Sequence, residues 1–97
     1  GCPVMNLAVE TDDGNPELRQ RAREAMDWMR DWVRRTTAKG VETGEFRADI
    51  NSDEVATLIL STVQGALMVS KLYGNGVHLE RAMKHLYGYI QDLRSTA

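Results

Sequence analysis

The sequence predicts an all-α fold of about four helices, with residues 1–97 forming one domain. Apolar residues recur at spacings of three and four in the segments that follow Asn15, Asn51 and Gly76, which is the period of a helix with a covered face. These segments open or close on residues that start or stop helices. No stretch alternates apolar and polar residues as a half-buried strand would.

Residues 2–10 are short and mostly apolar (Val4, Met5, Leu7, Ala8, Val9), and Thr11, Asp12, Asp13 and Gly14 end them. Asn15 then reads as an N-cap and Pro16 as the first helical residue. Asn accepts a bond from a free backbone N–H, and Pro lacks the N–H that would go unpaired there. From Leu18 onwards, Ala22, Ala25, Met26, Met29, Trp32 and Val33 form one stripe directed towards Thr36. The helix is expected to reach Thr43, with Gly44 as its stop and Gly40 opposing a regular last turn.

The next helix has the best-marked start. Asn51 is its N-cap, Glu54 stands at the capping-box position, and Ile50 and Val55 are placed for a hydrophobic staple. Asp53 adds negative charge where the helix dipole favours it. Residues 55–70 are sixteen in a row without a charge, a rod of ~24 Å. Val55, Leu58, Ile59, Val63, Ala66, Val69 and Tyr73 crowd one side, and Ala56, Leu60, Leu67 and Leu72 widen it. Thr57, Ser61, Gln64 and Lys71 leave a narrow polar strip. A helix apolar nearly all round has to be covered on two sides, and a chain this short has few helices with which to do it. A second copy of the chain is the simplest cover.

Gly74, Asn75 and Gly76 force a turn. The last helix, from about His78 to Arg94, carries Leu79, Ala82, Met83, Leu86, Tyr89, Ile90 and Leu93 on one face.

A net charge of −2 excludes a global basic field that would hold a polyanion. The single cysteine, Cys2, cannot close an internal disulfide, which suits a reducing cytoplasm. The charge-free run is broken by Thr57, Ser61, Thr62, Gln64 and Ser70, so no membrane span is expected. The chain starts at Gly1 rather than Met, as a fragment or a processed product would.

Gly1, Cys2, an apolar turn and Asn6 precede an Arg-rich helix opened by Asn15, Pro16 and Glu17. Later, Gly44, Glu45, Phe46, Arg47, Ala48, Asp49, Ile50 and Asn51 lead into Val55, Ala56 and Leu58. This order resembles the C-terminal domain of TetR-family transcriptional repressors along essentially the whole chain. The resemblance implies a homodimer whose last two helices join those of the partner in an intermolecular four-helix bundle. It also implies a pocket for an unknown small apolar effector, and DNA contact only through an N-terminal helix-turn-helix that this chain lacks. No membrane partner and no cofactor are implied. The alternative is a stand-alone helical homodimeric module with neither ligand nor DNA.

For the dimer interface, the candidate residues are Ser61, Gln64, Gly65, Met68, Val69, Leu72, Leu86, Tyr89, Ile90 and Leu93. Ser61 and Gly65 are small and four apart, so another helix can approach there. Gln64 has three open readings: a bond to a ligand, a bond to its twin, or exposure to water. Met5, Met26, Trp28, Met29 and Trp32 are candidates for the effector pocket. Met26 and Met29 also have the spacing of an ordinary core stripe, whereas Trp28 lies well off that stripe.

Arg19, Arg23, Arg30 and Arg34 share a helix face, but Asp27 interrupts it, Glu24 and Asp31 flank it, and no aromatic residues interleave. It reads as a solvated face rather than a phosphate-binding one. His78 and His85 fit no metal-binding or catalytic spacing, and Cys2 has no local base. No enzyme activity is expected.

Overall fold

The computed structural model describes residues 15–96, and the short apolar segment 2–10, with Met5, lies outside them. The described residues form three helices and no strand: α1 (Pro16–Glu42), α2 (Ser52–Tyr73) and α3 (Val77–Asp92).

Local chemistry sets the ends of α1 and α2. The Asn15 side chain accepts from the Leu18 N–H at 3.1 Å, and Pro16 opens α1. Asn51 repeats the arrangement for α2, accepting from the Glu54 N–H at 3.0 Å. Gly44 follows α1 and Gly74 caps α2, both in the left-handed region at φ 81° and 73°, where a β-carbon is strained.

The start of α3 is built differently. Its cap residue, Gly76, offers no side chain. The Ser70 hydroxyl, one turn before the end of α2, accepts from the Leu79 N–H at 2.9 Å, and Asn75 Oδ1 accepts from the Val77 N–H at 3.0 Å. Free amides at the start of a helix need such partners, and here the preceding helix supplies one of them.

α1 continues through Gly40 to its cap at Thr43, with Gly44 following, as the sequence predicts. Gly40 is buried, and Phe46 folds back over it. The following strap ties the C-terminal ends of α1 and α3 together. The Phe46 N–H donates to Gly40 O at 3.0 Å, the Arg47 N–H to Leu93 O at 2.9 Å, and the Ser95 N–H to Glu45 O at 2.8 Å. Phe46 and Arg94 face each other in an isolated antiparallel bridge.

α2 is the central element, packed against α1 on one side and α3 on the other. Among the described residues the buried apolar ones are few and mostly small: Ala22, Val55, Ala56, Ala66, Leu86 and Leu93. The Cα envelope measures 50 × 31 × 14 Å, and the radius of gyration is 15.4 Å, against roughly 12 Å for a compact chain of this length. The helices therefore lie side by side in a slab one helix thick. Domains ordinarily stack two layers around a core, and among the described residues nothing covers the faces of the single layer.

By length and composition alone α2 is apolar enough to cross a bilayer. Within this fold its apolarity is divided between α1, α3 and the open faces of the slab.

Candidate functional site

Two neighbouring grooves run between α1 and α2. One is lined by Trp28, Met29, Trp32 and Val33 from α1 and by Ile59, Leu60, Val63 and Gln64 from α2, with a volume of about 270 Å³. Both helices contribute in the same rhythm, two adjacent residues and then the pair one turn on, because positions four apart stack on one helix face. The other groove, about 280 Å³, is lined by Met26, Arg30, Thr57, Leu60, Ser61 and Gln64. Leu60 and Gln64 belong to both.

Of the sequence-predicted pocket residues, Trp28, Met29 and Trp32 come together in the first groove, Met26 lines the second, and Met5 lies outside the described residues. Trp28 is 68% exposed and Trp32 57%. Val33, Ile59, Leu60 and Val63 complete the wall. In the sequence they read as undifferentiated helix stripe: Val33 adjoins Trp32, but Ile59, Leu60 and Val63 come from α2, and no spacing ties them to the tryptophans.

Gln64 is 7% exposed, and its Oε1 has no hydrogen-bond partner. Among its open readings, exposure to water is therefore excluded. It lies on the α1 side of α2, lining the grooves between those helices.

The remaining residues expected at the dimer interface fall in three places. Met68, Val69 and Leu72 are exposed, Leu72 by 82%, and a β-carbon on Gly65 would meet nothing within 4 Å. With Leu58 they form an open apolar face of α2. Leu86 and Leu93 are instead buried within the chain itself, while Tyr89 and Ile90 are half-buried. Leu86 and Tyr89 line a cleft with Leu58, Thr62, Ala82 and His85 between α2 and α3. Ser61 lines the second groove and an acidic hollow with Asp53, Glu54, Thr57 and Leu58.

The arginine face of α1 is tied into the fold. Arg30 reaches Asp53 in the first turn of α2 at 3.2 Å, and Arg34 lies 3.9 Å from the same carboxylate. Arg34 and Arg35 also hold Asp31, at 2.7 and 2.9 Å. The Arg34 hydrogen bond holds the Asp31 carboxyl below its ordinary value, and Asp31 in return raises Arg34. Sequence spacing placed these arginines on one face; it gave no sign that Asp53 closes on them from the next helix.

Among the described residues no cluster of three or more His, Cys, Asp or Glu side chains is arranged to hold a metal. The His78 ring lies 4.9 Å from that of Tyr73 at the α2–α3 turn.

The tetracyclin repressor-like C-terminal domain family matches residues 1–86. The chain belongs to that family. The TetR-like domain is also similar to two solved regulators. The crystal structure of a TetR transcriptional regulator from Chloroflexus aurantiacus J-10-fl superposes with a TM-score of 0.92 at 38% identity, over 100% of this chain and 49% of that one. A TetR-family transcriptional regulator from Cytophaga hutchinsonii gives 0.94 at 26% identity, over 100% and 48%. The TetR-like domain thus spans about half the length of these relatives. No curated protein matches the sequence.

Proposed function

We propose that this chain is the dimerisation and effector-binding part of a TetR-like transcriptional repressor. A small apolar effector binds between α1 and α2. Its binding shifts a two-state equilibrium that sets DNA binding by an N-terminal domain outside this chain. The observation that carries this reading is the pair of exposed tryptophans, Trp28 and Trp32, on one wall of an apolar groove. Concave apolar sites with a few polar groups are where small ligands bind, and exposed apolar patches mark interaction surfaces. The open face around Leu58, Gly65, Val69 and Leu72 supports a second copy as the cover for α2. The regulator works in the cytoplasm, without a cofactor and by binding alone.

Nile red, a neutral apolar dye, tests the groove. Its emission should rise on the wild-type chain, and Trp28→Ala with Trp32→Ala should remove most of the rise while helical circular dichroism is unchanged. Emission that does not depend on both tryptophans refutes the groove as the site. The regulatory half of the reading is tested upstream of the Gly1 codon, where an open frame encoding a helix-turn-helix is expected.

A further inference from the structure

We propose that the α1–α2 groove selects an uncharged, flat, apolar molecule that carries a hydrogen-bond donor beside an acceptor, as a lactam does, and that the Gln64 amide reads that group. The inference rests on the effector reading above and narrows its chemistry. Gln64 is buried to more than nine-tenths, and its Oε1 is unpartnered. Buried polar groups are almost always paired, so an orphaned one asks for an explanation. A primary amide presents an acceptor and a donor side by side, and its natural complement has the same two groups in reverse order.

The surroundings settle the rest of the ligand. The seven other residues lining the tryptophan groove are Trp28, Met29, Trp32, Val33, Ile59, Leu60 and Val63, all apolar. An ion entering there would lose its water without gaining a counter-charge. In the adjoining groove Arg30 is already paired with Asp53 at 3.2 Å. Trp28 and Trp32 lie one turn apart, line the groove and are both more than half exposed, so they offer aromatic surface on which a planar body stacks. A volume of about 270 Å³ suits a molecule of two fused rings rather than a long chain.

The test is calorimetric titration of the 97-residue chain with three probes of one shape. Carbostyril is a neutral bicyclic lactam, N-methylcarbostyril lacks its N–H, and quinaldate is the anionic relative. Carbostyril should bind roughly ten-fold or more tightly than its N-methyl form, the difference made by one hydrogen bond to a desolvated group, and quinaldate should bind weakest. Gln64→Met, which keeps the length and removes the amide, should bind the two neutral probes equally. Trp28→Ala should weaken both. Equal wild-type affinity for the two neutral probes overturns the role of Gln64 and leaves the groove standing as an effector site. Tightest binding of quinaldate overturns the uncharged class. Binding of the probes that survives Trp28→Ala unaltered, or no binding of any probe, overturns the inference. If Nile red also fails to respond to the tryptophan variants, the effector reading falls with it.

Discussion

The Phe46 ring lies so close over Gly40 that a β-carbon added at residue 40 would sit 2.5 Å from Phe46 Cδ2. The same two residues share a backbone hydrogen bond of 3.0 Å. Glycine is therefore required in the last turn of α1 for space rather than for backbone freedom. Once Phe46 is seated, Arg47 and Glu45 bond to Leu93 and Ser95, and the strap joins the ends of α1 and α3.

Gly40→Ala should consequently destabilise the fold. Alanine gains about 1 kcal/mol of helix propensity over glycine, but overpacking costs about 1–3 kcal/mol. A net loss of about 1 kcal/mol lowers Tm by roughly 4–8 °C in a domain of this size. In a Phe46→Ala background the clash is gone and the same substitution should stabilise. Thermal denaturation of the four proteins checks this change of sign, since contacting residues do not behave additively.

Ser70→Ala should cost about 1 kcal/mol, the ordinary worth of a side-chain cap. It leaves the Leu79 N–H without the hydroxyl that now accepts from it at 2.9 Å. Urea unfolding should show a lower midpoint with an unchanged slope. An unchanged midpoint would mean that water replaces the hydroxyl without loss.

Gln64→Leu should make the ligand-free protein more stable. Removing a buried, unpaired acceptor recovers a desolvation cost of about 1–3 kcal/mol. The urea midpoint should rise. A fall would show that the amide serves packing rather than recognition.

Val69→Glu places a charge on the open apolar face of α2. Light scattering should find the wild-type chain at twice the 10.9 kDa of one chain and the variant at a single chain mass on dilution. Equal masses for the two proteins would remove this face from the dimer interface. Gly65→Leu, which fills the space now open above that residue, should have the same effect.

Asp31 sets an acid limit. Hydrogen bonding from Arg34 depresses its carboxyl below the ordinary 3.8. A depressed carboxylate contributes stability above its unfolded-state pKa, and this is lost as pH falls through the lower, folded-state value. The contribution should thus be constant at neutral pH and disappear only on the acid side of about pH 4. Asp31→Asn should flatten that acid arm in melts recorded against pH and leave its shape near neutrality unchanged.

Much of the fold was legible because its signals are local. Asn15 with Pro16, and Asn51 with Glu54, mark helix starts through bonds spanning three residues, and Gly44 and Gly74 mark ends through their own backbone angles. The lining of the α1–α2 groove was legible in part. Trp28, Met29 and Trp32 stand out by residue type and spacing, whereas the place of Gln64, open in the sequence between a ligand, its twin and water, depends on how α1 packs.

By itself the sequence determined that there are helices, where α1 and α2 begin, and that α2 is apolar over most of its circumference. Only the tertiary structure decided which side of α2 turns to α1, that Gln64 is buried there without a partner, that Ser70 caps the next helix, and why residue 40 is glycine. The physical reason is the near-uniform apolarity of residues 55–70. A helix with one apolar face is oriented by its own pattern, but a helix apolar nearly all round is oriented by its neighbours. Those neighbours come from distant parts of the chain, where spacing along the sequence carries no information.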